Sequence, residues 1–178
     1  MRWFTRYWLA ADQLDAGSNE VRRAYWYHVE SIKGHLPAAF RVLAEAGGEV
    51  SLHDGRFIQV SRPFWERAQL IFDIACWDLS SGILRDDIWI YPDLHVRIVY
   101  GGAELVSPTW DELQAVARDP ATEIRYGEID IVDDGRIEHR MLLWPQETPL
   151  LVVRFSTADV IPVRFDGASM TVLRPPTD

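Results

Sequence analysis

The chain has 178 residues, 48% of them hydrophobic and 25% charged, with a formal net charge of −9. That length supports one domain, or a small helical lobe on a sheet domain, with core enough to need no metal or disulfide staple. The acidic balance argues against nucleic acid as a general partner, because phosphate neutralisation needs a basic face, and is compatible with a basic protein partner.

Of the 18 basic residues only Lys33 is a lysine, which reads as genomic compositional bias and not as guanidinium-based function. The single cysteine, Cys76, rules out an internal disulfide framework and a cysteine-based zinc cluster. It lies in the apolar run LIFDIACW, where a buried, inert thiol is the expectation. The opening MRWFTRYWLAADQL lacks the apolar stretch of a signal peptide, and no segment is apolar for long enough to span a membrane as a helix. A cytoplasmic protein with no membrane partner is therefore expected.

Residues 1–48 read as a helical lobe. Residues 5–15 are read as a short helix, and Ser18 is a good N-cap for a longer one. Val21, Tyr25, His28 and Ile32 recur at helical spacing. Gly34 and Pro37 interrupt that stripe, so a break near 34–36 and a second helix over 37–46 are expected, with Phe40 and Leu43 inward and Gly47-Gly48 as terminator. Residues 49–178 read as an antiparallel β domain. Segments 49–53 and 56–62 flank Asp54-Gly55 as two short strands. Within 64–77 both alternating phases are largely apolar, as in a strand covered on both faces or at a sheet centre. Strands at 88–91 and 94–100 flank Pro92, and Gly101-Gly102 turns into 103–106. One short helix near 109–118 has Thr109 as N-cap, Glu112 completing a capping box, and Asp119-Pro120 as its end.

The segment EIRYGEIDIVDDGRIEHRMLLW at 123–144 fixes a hairpin. A two-residue turn at Asp134-Gly135 would set Ile131 against Glu138 and mix the faces. A three-residue loop 133–135, with Gly135 left-handed, pairs Ile131 with Ile137, Ile129 with His139, Glu128 with Arg140 and Gly127 with Met141. Tyr126 and Ile124 then face Leu142 and Trp144. A one-residue slip would flip every side chain, so this register is preferred. It puts Asp130 opposite Glu138, a like-charged pair expected to sit in water near the tip. Further strands follow at 149–156, 160–165 and 169–174. The fold class is α+β: N-terminal helices packed against a mainly antiparallel sheet or half-open barrel.

Met1-Arg2-Trp3-Phe4-Thr5-Arg6, Leu52-His53-Asp54, Tyr126-Gly127-Glu128, Asp133-Asp134-Gly135 and Glu138-His139 resemble the pattern of a family of small bacterial proteins with a domain of unknown function. Its members open Met-Lys-Tyr-Phe-Thr-Lys, carry Leu-His-Asp into the sheet and end in a Tyr-x-Glu/Asp-Gly hairpin. The likeness covers both ends of the chain and implies a helix-plus-sheet bacterial cytosolic protein. It implies no activity, cofactor or catalytic set.

His53 and Asp54, with Glu138, His139 or Glu128, are the candidate catalytic set. Imidazole and carboxylate can work as a general base and its orienter, or share a metal. The competing reading makes His139 a hydrogen-bonded core residue beside Ile129, Ile137 and Met141, and Asp54 a turn residue before Gly55. Glu66, Asp73, Asp78, Asp86, Asp87 and Asp93 fit no calcium loop. No phosphate loop, dinucleotide fingerprint, nucleophile elbow or HExxH helix is present. No metal site and no cofactor are expected.

Trp89 and Tyr91, among acidic residues, are candidates for binding a partner, against the alternative that both rings fill the core. Two functional expectations follow. The leading one is a non-enzymatic acidic protein that binds another protein, in one form an immunity-like protein facing a basic toxin. The alternative is a small-molecule-binding protein or hydrolase, with His53, Asp54 and part of the 126–139 hairpin converging in one pocket. A homodimer paired through edge strands is a third, structural possibility.

Overall fold

The computed structural model describes residues 2–5, 18–44, 50–63, 68–78, 81–85, 88–145, 147–166 and 169–172. Helix α1 spans Ser18–Ile32 and buries Tyr25 and Val29. It runs into a 3-10 turn, Lys33–His35, closed by the Leu36 N–H on the Lys33 carbonyl. Leu36 is extended, so the chain breaks where Gly34 and Pro37 predict. The next segment, Ala38–Ala44, is a 3-10 helix and not the α-helix expected over 37–46. Seven residues are too few for propagation to offset nucleation, so tertiary burial of Phe40 sets its shape. The remaining expectations for 6–17 and 45–49, including the first helix and the Gly47-Gly48 terminator, lie outside the described residues.

The strands are β1 (Val50–Ser61), β2 (Gln69–Asp78), β3 (Ile83–Arg85), β4 (Ile88–Ile90), β5 (Asp93–Gly101), β6 (Glu104–Ser107), β7 (Glu123–Ile131), β8 (Ile137–Trp144), β9 (Leu151–Phe155), β10 (Thr157–Asp166) and β11 (Ser169–Val172). Nine of them form one open antiparallel sheet in the order β11-β10-β5-β2-β1-β7-β8-β9-β6, and β3 and β4 make a separate ribbon. The protein is α+β, with its N-terminal helical segments packed on the sheet through Phe40. That ring meets Tyr100, His139 and Phe155 at centroid distances of 6.2, 5.3 and 5.0 Å. Helix α2, Trp110–Arg118, carries the predicted capping box and buries Leu113.

One strand expectation is corrected. Residues 50–61 form one strand and not two, because Asp54-Gly55 makes a bulge within it. Of the two readings of the apolar 64–77 segment the sheet-centre one holds: β2 lies between β5 and β1 and is covered on one face, with Leu70, Phe72, Ile74 and Cys76 buried and Trp77 41% exposed. Apolar residues in the outward phase therefore do not require a second covering layer. Residues 83–85, to which the sequence reading assigns no element, pair with β4.

The hairpin keeps the predicted register from Ile131↔Ile137 to Tyr126↔Leu142, with Gly135 at φ 80. A bulge at Arg125 then shifts it, so Ile124 faces Leu143 and Trp144 faces Glu123. The Asp130–Glu138 pair is not the wet pair expected. Glu138 is buried, held by Arg140 Nε at 2.5 Å and Arg154 Nη2 at 2.9 Å, and Asp130 lies 3.4 Å from Arg140 Nη1. The Arg140 guanidinium bridges the two like charges.

Because Phe40 joins helix and sheet, Phe40→Ala should cost about 3–5 kcal/mol, the usual loss for a buried phenylalanine. Urea denaturation should show far-UV ellipticity and tryptophan emission moving together to a lower midpoint. Separate transitions would contradict this coupling.

Candidate functional site

β1 and β7 pair at a single position, Gly55 opposite Ile124. Residues 50–53 and 126–129, which would continue the antiparallel ladder, diverge and instead line a cavity of about 250 Å³. The bulge in β1 causes part of this divergence. Between Ser51↔Trp77 and Arg56↔Ala75, five steps along β1 are set against two along β2. Asp54 takes φ 59, a left-handed conformation that aspartate tolerates better than most L residues. Gly55 is required there: a Cβ would lie 2.7 Å from the Leu52 carbonyl oxygen and 3.1 Å from Ile74 Cγ2.

The bulge brings His53 to the cavity wall. Its Nδ1 is 3.1 Å from Asp54 Oδ2, and its ring meets Tyr126 edge-on at 5.0 Å. Asp54 Oδ1 accepts from Arg125 Nη1, a side-chain tie across the point where backbone pairing stops. Arg125 also lies 3.1 Å from Glu123 Oε2 and sits over the Trp144 ring. Asp54, Arg56, Glu123 and Arg125 border an adjoining polar depression of about 470 Å³. From α1, Arg22, Tyr25 and Trp26 reach the first cavity, and Arg22 Nη2 donates to the Tyr126 hydroxyl at 3.1 Å.

His139 also lines this cavity, so the two histidines converge on one space. His139 is 2% exposed, and its Nδ1 is 2.8 Å from the Tyr100 hydroxyl. Burial without a charged partner depresses its pKa to about 3, so the ring is neutral at physiological pH. It is thus a hydrogen-bonded core histidine and a cavity wall at once. Glu138 does not join the histidines; it is taken by Arg140 and Arg154. Among the described residues no three histidine, cysteine or carboxylate groups gather as a metal-binding set. Cys76 is buried, and burial pushes its thiol up to about 12, which leaves no thiolate to act as nucleophile.

Glu128 has a role that sequence reasoning missed. It is fully buried, and its carboxylate accepts the backbone N–H groups of Arg2, Trp3 and Phe4 at 2.8, 2.7 and 2.5 Å. This clamp makes Phe4 a wall of the cavity, stacked on Tyr126 at 5.0 Å and edge-on to Tyr25 at 4.9 Å. Trp3 packs on Tyr25 and His28, and His28 Nε2 lies 3.1 Å from Asp130 Oδ1, at ion-pair distance but not aligned as a hydrogen bond.

Trp89 stands on β4 opposite Leu84, and its side chain lies outside the described residues. Tyr91 is half-buried. The large exposed side chains near them are instead Ile83, Leu84, Ile88 and Ile90. No helix among the described residues is long and apolar enough to cross a membrane.

The neutral burial of His139 sets a pH dependence. The unfolded ring takes a proton near its ordinary 6.5, and the folded ring only near 3. Stability from this residue is complete above the higher value and is lost as pH falls through that window, at up to about 1.4 kcal/mol per pH unit. Urea unfolding from pH 7 to pH 4 should therefore lose stability more steeply in the wild type than in His139→Gln. Equal slopes would show that the ring is not buried neutral.

No protein-family model, curated protein or solved structure matches the chain. The functional reading accordingly rests on the geometry of the cavity.

Proposed function

We propose that this is a small-molecule-binding protein whose site is the cavity between β1, β7 and α1. The observation that carries this reading is the convergence of His53, Tyr126 and His139 on one space opened by the split between β1 and β7. The walls are mostly apolar and aromatic, with a few polar groups, which is the usual make-up of a ligand pocket. His53 stands at the mouth with the Asp54 carboxylate 3.1 Å from its Nδ1, an imidazole–carboxylate pair. Binding is the core of the proposal. Its hydrolytic form lacks support, since no hydroxyl or thiol among the described residues is held by the His53 ring.

A second reading, docking of another protein, is favoured by the β3–β4 ribbon. Ile83, Leu84, Ile88 and Ile90 are 67, 54, 67 and 52% exposed there. A two-stranded ribbon is marginal in water by itself, and apolar side chains gathered on one suit a partner surface. The net charge of −9 would favour a basic partner around that apolar centre.

The test of the first reading is ligand-observed saturation-transfer NMR with a set of small aromatic and aliphatic fragments. Binding should concentrate on aromatic fragments and be lost in Leu43→Trp, which fills the cavity from the Ala38–Ala44 segment. The same hits in both proteins, or none in the wild type, would reject the cavity as the site.

A further inference from the structure

The hydrogen-bond arithmetic of the cavity wall names the chemistry of its ligand. Tyr100 is fully buried, and burial raises its pKa well above the ordinary value, so the phenol keeps its hydrogen. Among the described residues its hydroxyl bonds only to His139 Nδ1, at 2.8 Å. If Nδ1 carried the imidazole hydrogen, the phenolic hydrogen would have no acceptor in a dry core, a loss of about 1–3 kcal/mol. Tyr100 therefore donates, Nδ1 accepts, and the hydrogen of the neutral ring sits on Nε2.

That Nε2–H has no protein acceptor among the described residues. Gly127, beside it on the cavity wall, has no side chain to cover it: a Cβ there would lie 3.2 Å from Nε2. Tyr25 repeats the pattern. Its hydroxyl oxygen accepts the Ile129 N–H at 2.9 Å, and its own hydrogen has no acceptor among the described residues. Glu128, the nearby carboxylate, is occupied by three backbone donors. Arg22 and Arg125 on the wall can only donate. The His139 Nε2–H is thus a donor without a protein acceptor, on a wall of aromatic rings. An apolar cavity of ~150 Å³ accepts benzene, so about 250 Å³ admits two fused rings.

We propose, resting on the cavity reading above, that the ligand is a flat aromatic compound of one or two rings carrying a carbonyl oxygen, and that His139 Nε2–H binds that oxygen. A carbonyl oxygen suits this neutral donor, because it accepts the hydrogen without bringing a charge into an apolar space.

The test compares three bicyclic probes, coumarin as carbonyl acceptor, indole as donor and naphthalene as neither, titrated into the wild type and Gly127→Ala by NMR. Coumarin should bind about tenfold more tightly than the other two, the order of one hydrogen bond. Gly127→Ala should remove that advantage, because its methyl covers Nε2, while naphthalene still binds. Nitrogen-15 shifts should show His139 as the Nε2–H tautomer, with Nε2 moving on coumarin binding. Equal binding of all three probes, or an Nδ1–H tautomer, would overturn the acceptor assignment and leave the cavity as a site. Failure of all three to bind would overturn the cavity reading with it.

Discussion

A carboxylate with no solvent contact, Glu128, gathers three consecutive backbone N–H groups from the far end of the sequence. Successive N–H groups turned toward one point form a concavity that suits an anion, and here the anion is a side chain of the same protein. Each side needs the other. A buried carboxylate without donors is costly, and so are N–H groups that lie in no helix or strand and have no acceptor. Arg140 Nη1, 3.8 Å from the carboxylate, adds a countercharge. Residues 2–4 are thereby held against β7, and Phe4 becomes a wall that α1 and the sheet alone would not supply.

The cavity behind that wall is a consequence of strand divergence. Backbone pairing between β1 and β7 stops at Gly55 and Ile124. The Arg125–Asp54 contact holds the two strands together at that point without closing the ladder. The left-handed Asp54 and the Cβ-free Gly55 let β1 bulge, so His53 faces the opening and not a neighbouring strand. Backbone strain at such a position is commonly kept where it positions a functional group. The same divergence leaves His139 on the cavity wall, although in the hairpin it is an ordinary inward residue.

The hairpin was legible because Asp133-Asp134-Gly135 and the alternation around it are local, and each supports the same register. The bulge at Arg125 was not legible, since no turn residue marks it. The α2 capping box was readable for the same local reason. Burial of β2 on one face could not be read from its sequence, because Trp77 and Ile71 are apolar and yet outward or half-exposed. In the site, the His53-Asp54 step and His139 stood out by residue type. The Glu128 clamp did not: its donors are backbone groups with no side-chain signature, 124 to 126 residues away. The partnership of Tyr100 with His139 spans 39 residues and depends on how β5 and β8 come together, which local pattern does not encode.

The measurement that tests this account most directly is native-state hydrogen exchange of the Trp3 and Phe4 amides, in the wild type and in Glu128→Leu. If the clamp builds the cavity wall, both amides are protected in the wild type to nearly the level of the Ile129 amide in β7. In Glu128→Leu they exchange near the rate of an unfolded chain, because the side chain no longer offers the oxygen that accepts from both. Wild-type amides exchanging at unfolded rates, while β7 stays protected, would contradict the account.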